Sequence, residues 1–455
     1  MSRDAEVLEK LKAIVDPDLG NDIVSLGFVK NLKCDDAGNV AFGIELTTPA
    51  CPVKEQFRAA ADKLVRQLPW VKNVSITMSA QARGAPLTAG PGLKGVENII
   101  AVSSCKGGVG KSTTAVNLAY SLQKFGGRVG IFDADVYGPS LPTLVSPADR
   151  QVYQNPDGSI HPLEFHDAKL MSFGFVTANQ GGGPAIMRGP MVTQVINQLL
   201  TTTDWGDLDY LVIDFPPGTG DIQLTLTQLI PITAAVIVTT PQQLSFVDVV
   251  KGIQMFDKLK VPVVSVVENM SYFECGKCHE KHHLFGQGAR KKLVEQFGIQ
   301  NSFEIPIIPE ISHLSDAGTP VALVGGDIAK HYEAIAESVV REVSRIKFGG
   351  LARPKISYAS GLGVVVNTAD GKVSVIKAAE LRRRCRCASC IDEFSGKQIL
   401  APESVAESVF PKTIQPMGNY AVAIAWSDGH ASSIYPYDAI LKLVSEIGVA
   451  AQAPA

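Results

Sequence analysis

The rhythm of apolar and polar positions changes twice along the chain. Between Asp4 and Val15 the apolar residues Val7, Leu8, Leu11, Ile14 and Val15 recur at three- and four-residue steps, which predicts an amphipathic helix. A "DPDLG" turn follows. "DIVSLGFVKNL" (22–32) and "NVAFGIELTT" (39–48) then read as strands joined around "DDAGN". A helix is expected from Cys51 to Leu68, and a further strand in "VKNVSITMS" (71–79). Residues 1–80 therefore predict a small α+β domain, and the Gly/Pro/Ala-rich stretch 81–95 a linker.

From Val96 the alternation gives way to short, nearly continuous apolar runs separated by helical stretches. The runs are "NIIAVSS", "RVGIFDAD", "DYLVIDFPP", "AAVIVTTP" and "VPVVSVVENM". Strands buried on both faces of a parallel sheet have this character. Each run ends in a polar loop, the edge where such sheets carry their sites. The pattern lasts to Phe348, so residues 96–348 predict one α/β domain. After a second linker (349–361), "YAVAIAWSDGHASSIY" alternates and breaks at Asp428-Gly429, a hairpin signal. Residues 362–455 are expected to form a small β-rich domain.

Composition narrows the picture modestly. In 455 residues, 45% are apolar and 19% charged, with a formal net charge of −3. No broad basic field favours nucleic acid, and no apolar run is long enough to span a bilayer. Neither nucleic acid nor membrane is expected as a partner. The N-terminus has no apolar signal core and is too acidic for a transit peptide, so the chain either stays where it is made or is a processed form.

"AVSSCKGGVGKSTTAVNLA" (101–119) supplies the first candidate chemistry. Gly110, Lys111 and Ser112 close a phosphate-binding loop set between a strand and a helix, a strong signal. Backbone N–H groups of Gly107, Gly108, Val109 and Gly110 can face phosphate oxygens at a helix N-terminus, with Thr113 in the first turn. Lys111 is expected on the β/γ-phosphates of ATP and the Ser112 hydroxyl on Mg²⁺. Asp214 suits the outer sphere of that ion, and Asp133 and Asp135 can orient metal and an attacking water. Two features depart from the common loop: Cys105 replaces the first glycine, and a second lysine, Lys106, follows it.

The eight cysteines include two tight clusters. Cys275-Gly-Lys-Cys278 can hold one edge of a metal group. A twofold dimer would complete four thiolates around a [4Fe–4S] cluster. A redox pair, zinc with His279, His282 or His283, and a solvated loop are the alternatives. Cys385, Cys387 and Cys390 lie within six residues, and His430 is a candidate fourth ligand, an ordinary structural zinc set with a cluster as runner-up. Cys51 precedes Pro52 and is expected as a helix N-cap, where a thiol is a ready soft-metal ligand. Cys34 reads as structural. The run Arg382, Arg383, Arg384 and Arg386 reads as a solvated basic face.

The "KGGVGKS" loop, with "DADVYGPSLP", "IDFPPGTGDIQLTL" and "VENMSYFECGKC", resembles the deviant P-loop ATPases of the Mrp/ApbC type. The resemblance covers nearly all of residues 96–345. It implies a homodimer with ATP at the interface, Lys106 reaching the partner's nucleotide, Asn269 reading adenine, and an iron–sulfur cluster. "VDPDLGNDIVSLGFV" with "TTPACP" resembles the SufT-like domain of iron–sulfur assembly. That likeness favours Cys51 as a cluster ligand. "LRRRCRCASCIDEFSG" resembles the N-terminal zinc domain of γ-butyrobetaine hydroxylases, whose oxygenase part has no counterpart here. This domain order resembles the high-chlorophyll-fluorescence family of plastid scaffolds, which implies the chloroplast stroma, with the cytosol as alternative. The implied activity is an ATP-dependent scaffold and carrier taking a [4Fe–4S] cluster from upstream donors to apo-protein clients. The alternatives are a MinD/ParA-like positioning ATPase and a zinc-stabilised interaction protein with vestigial ATPase.

Overall fold

A computed structural model describes residues 2–17, 19–80, 90–178, 189–218, 221–287, 290, 299, 301–348, 354–368, 371–387, 389–391, 397–417, 421–430 and 433–450. The first nine residues of the first expected linker and the first five of the second lie outside this set.

All five apolar runs of the middle region form strands of one eight-stranded sheet. From edge to edge these are Ser302–Ile305, Val263–Asn269, Ala234–Thr239, Ile99–Ser103, Tyr210–Asp214, Val129–Asp133, Ala168–Ser172 and Leu163–Phe165. Every pairing is parallel except the last. Both faces are covered. One core joins the sheet to helices Lys111–Lys124 and Gly326–Phe348, the other to Gly189–Thr202 and Gln243–Lys258. This burial on two sides is why the strands carry no polar alternation.

In the N-terminal unit, strand Val29–Cys34 pairs antiparallel with Asn39–Leu46, which pairs parallel with Asn73–Ala80. Helices Arg3–Leu11 and Lys54–Val65 contribute Val7, Leu11, Phe57, Ala61 and Val65 to its core. The expected strand at 22–32 is corrected to Val29–Cys34. Asp22 Oδ1 accepts the N–H groups of Val24 (3.0 Å) and Ser25 (2.8 Å), which curls residues 22–27 into turns before the strand can start.

The C-terminal unit holds one sheet of Lys355–Ala359, Gly363–Asn367, Val373–Ile376 and Val449–Ala450, and another of Pro411–Met417, Ala421–Trp426 and Ser433–Pro436. Two helices, Ala378–Arg383 and Tyr437–Ile447, pack on them. Gly429, at φ +88°, makes the expected turn after Trp426. Among the described residues no helix is long and apolar enough to cross a membrane.

Candidate functional site

The phosphate loop connects the central strand Ile99–Ser103 to helix Lys111–Lys124. Gly110 takes φ +83° at the N-cap, and a Cβ there would stand 2.2 Å from Asn269 Nδ2, so only glycine fits. Asn269, the last residue of strand Val263–Asn269, donates that amide to the Val109 carbonyl (2.9 Å). Cys105 is not among the residues with positive φ, so a side chain is tolerated there. Its sulfur turns against helix Gln243–Lys258 at Gly252, where a Cβ would come within 2.6 Å of it.

Lys111 Nζ is buried and sits 2.5 Å from Asp214 Oδ1, with Ser112 Oγ at 3.3 Å. Burial pushes the Asp214 carboxyl up, opposed by the Lys111 ammonium. Burial and the neighbouring Asp214 push Asp133 up to about 7. Asp133 is fully engaged: it accepts from the N–H groups of Asp135, Ser140 and Leu141 and from the Ser172 hydroxyl. Asp135 accepts from Gly138 N–H (3.1 Å) at the same sheet edge. Lys106 lies on its own chain, 3.3 Å from Gln242 Oε1.

Six residues past Asn269 the chain presents Cys275. Phe273–Glu274 and Lys281–His282 pair as a short hairpin, and the knuckle closes by Cys275 N–H to Glu280 O (3.0 Å) and His279 N–H to Cys275 O (2.9 Å). Backbone N–H groups of Cys278 and Lys277 point at the Cys275 sulfur and hold its thiol below the usual range. Cys278 is exposed. His279 Nδ1 lies 3.0 Å from Glu274 Oε1, and His283 Nδ1 lies 3.3 Å from the Ser271 carbonyl. Among the described residues, neither they nor His282 complete a metal set with these thiols.

Cys385, Cys387, Cys390 and His430 do form such a set, with all donor atoms within 4.8 Å of one another. His430 Nε2 stands 3.4, 3.3 and 3.7 Å from the three sulfurs. A tetrahedral zinc at ordinary bond lengths needs sulfur–nitrogen edges of about 3.5 Å. A cubane, with its irons spread over several sites, needs donors held much further apart. Hydrogen bonding with Cys387, then burial, raises the Cys385 thiol, and burial raises Cys390. The hairpin at Asp428-Gly429 brings His430 back to the cysteines.

Residues 95–340 match the family model described as NUBPL iron-transfer P-loop NTPase. Residues 4–77 match an iron–sulfur cluster assembly protein model, and 359–441 a γ-butyrobetaine hydroxylase-like N-terminal model. The chain is 52% identical to the Fe-S cluster assembly factor HCF101, chloroplastic, of Arabidopsis thaliana, over 99% of its own length and 84% of that protein's. It belongs to the NUBPL-type iron-transfer P-loop NTPases. An iron-sulfur cluster carrier protein of Deinococcus radiodurans is 41% identical over 76% of this chain and 95% of that one. A solved nucleotide-binding protein of Archaeoglobus fulgidus in complex with ADP is 38% identical, covering 53% of this chain and 94% of that one, with a TM-score of 0.47.

Within this NUBPL-type chain, Cys51 stands apart from the other candidate ligands. The expected N-cap role is corrected: the helix starts at Lys54 with Val53 as N-cap, and Cys51 opens the preceding turn, its carbonyl accepting Lys54 N–H at 3.2 Å. The segment 47–50 docks on the NTPase domain. Thr47 Oγ1 lies 3.2 Å from Ser344 Oγ, Thr48 Oγ1 lies 3.0 Å from Tyr210 OH, and Ala50 is buried in the NTPase core. Tyr210 opens the strand that ends at Asp214 beside Lys111. Cys51 therefore sits at the sheet edge opposite the phosphate loop and Cys275.

Sequence reasoning missed two groups here. Gln242, which accepts from Lys106, carries no motif. The expected solvated basic face is corrected at Arg382, which is 5% exposed and touches Cys390. Its signal was available: Ala378, Leu381 and Arg382 share one helical face by their three- and four-residue spacing.

Proposed function

We propose that the chain is an ATP-hydrolysing scaffold and carrier that assembles a [4Fe–4S] cluster and passes it to apo-proteins. One observation carries the reading: the strand whose end holds the phosphate loop through Asn269 and Val109 continues directly into Cys275. Changes at the nucleotide thus have a short covalent route to the cluster thiols. The Arabidopsis cluster assembly factor and the Deinococcus cluster carrier, both similar to this chain, support it.

In this reading Gly107 to Gly110 and the first turn through Thr113 cradle the phosphates. Lys111 leaves Asp214 for the β/γ-phosphates. The Ser112 hydroxyl would ligate Mg²⁺ with Asp214 in its outer sphere, and the ion would neutralise phosphate charge. Asp135 orients the attacking water, while Asp133, its oxygens already engaged, fixes the loop that carries Asp135. Asn269 reads adenine. Lys106 exchanges Gln242 for the nucleotide of a twofold partner, adding positive charge where the transition state builds negative charge. The same homodimer supplies Cys275 and Cys278 twice, four thiolates for one cluster. Cys51 acts at the opposite sheet edge as a separate acceptor. Cys385, Cys387, Cys390 and His430 hold zinc. The chloroplast stroma is the compartment proposed.

The test is anaerobic reconstitution with iron and sulfide, followed by transfer to an apo-aconitase. About two irons and two labile sulfides per chain are expected. Transfer rates should differ between ATP, ADP and no nucleotide. Equal rates in the three states, or zinc without labile sulfide, would overturn the carrier mechanism.

A further inference from the structure

The arginine run before the C-terminal cysteines divides sharply by environment. Arg383 donates to Glu380 and Glu407, Arg384 donates to Glu380, and Arg386 is exposed. Arg382 alone turns inward. Its Nε donates to Asp428 Oδ2 (2.8 Å) and its Nη1 to Cys390 Sγ (3.4 Å). Asp428 Oδ1 accepts the N–H of His430 (3.1 Å). A continuous chain of contacts therefore runs from one candidate ligand, Cys390, through Arg382 and Asp428, to the residue carrying another. On the far side Ser433 Oγ lies 3.2 Å from Cys385 Sγ and accepts from Trp426 Nε1 (3.0 Å).

A buried guanidinium needs anions, and Asp428 is only one. Three thiolates and a divalent ion leave one negative charge on the metal set. We propose that Arg382 is a positioning residue that supplies the balancing charge and makes this site resident: the metal stays, and its thiolates are withheld from cargo chemistry. Cys275 and Cys278 show the opposite design. Among the described residues the Cys275 sulfur has backbone N–H groups and the Cys278 thiol for partners and no guanidinium, and Cys278 is exposed. A chain that handles iron and sulfide at one site gains from a second site that neither releases nor exchanges its ion. This inference rests on reading the C-terminal set as zinc.

The experiment uses the full chain loaded with Zn²⁺ or Co²⁺. Metal per chain, the rate of zinc release to a chromogenic chelator, and the thiolate-to-Co²⁺ charge-transfer band are measured. Arg382→Gln is expected to release zinc roughly 10–100-fold faster, the range for loss of an outer-shell partner. Its cobalt band should move to longer wavelength, because the Cys390 thiolate becomes richer in electrons. Arg382→Lys should recover part of both effects. A wild-type release rate and an unmoved band in folded Arg382→Gln would overturn the proposal. Should that variant fail to fold, Asp428→Asn gives the same readouts: faster release is expected, and an unchanged rate overturns the proposal. A wild-type chain that takes no metal at these four ligands would instead overturn the zinc reading itself.

Discussion

The two cysteine clusters of this chain are built on opposite principles. The C-terminal set is inside a core: Cys385 and Cys390 are each 1% exposed, a histidine completes the donors, and a buried arginine attends one sulfur. The Cys275/Cys278 knuckle offers two thiols on a hairpin, one exposed and one lowered by backbone N–H groups. Complete, buried coordination resists exchange. In the function proposed above, such a pair would be completed by a second chain and opened by moving that chain.

Exchanging the fates of the two sites is the severest test of this contrast. Cys275→Ala should reduce reconstituted iron and labile sulfide to background while leaving zinc at about one per chain. Cys385→Ala should do the reverse and destabilise the C-terminal domain by at least ~2 kcal/mol in denaturant unfolding. If either variant empties both sites, they are not independent. Next in size, Lys111→Ala should lower ATP turnover by about 100-fold or more while the cluster still assembles, because it removes phosphate stabilisation and leaves the thiols intact. Phosphate release and iron content in one preparation check this. Asn269→Ala sharpens the comparison further. It removes the contact between the loop and the strand that leads to Cys275. The difference between transfer rates with ATP and ADP should then shrink several-fold, with C-terminal zinc release unchanged.

Two smaller effects concern the frame. Thr48→Val deletes the bond to Tyr210 and should cost about 1 kcal/mol, since a buried hydroxyl loses its partner. Urea unfolding reads this, and both metal sites should be unaffected. The last involves pH. Burial and the neighbouring Asp214 raise the Asp133 carboxyl to about 7, whereas an unfolded aspartate ionises near 3.8. Unfolding between those values therefore releases a proton. The stabilising effect of this group is present at low pH and is lost as pH rises through about 7. The melting temperature of Asp133→Asn should fall less steeply than wild type between pH 5 and 8.

Much of the architecture was legible because its signals are local. A strand buried on two faces must be apolar throughout, so the five runs announced the sheet, and the Gly-Lys-Ser turn between strand and helix announced the phosphate site. The Cys-x-Cys-x-x-Cys spacing likewise marked a candidate metal set. Errors arose where a side chain competed with the pattern. Asp22 curls residues that read as a strand, and the turn after Cys51 delays a helix that Pro52 had suggested should start earlier.

The sequence by itself determined the periodic elements, the phosphate loop and the close spacing of the candidate cysteine ligands, since each depends on neighbours a few residues away. Tertiary structure alone decided their company. It brought His430 across 40 residues to Cys390, set Asn269 against Val109, and put Cys51 at the edge of the sheet away from Cys275. It also turned one arginine of four toward a sulfur. Contacts of this kind depend on how faces pack and strands order, and a run of similar side chains carries no local mark of which one will be buried.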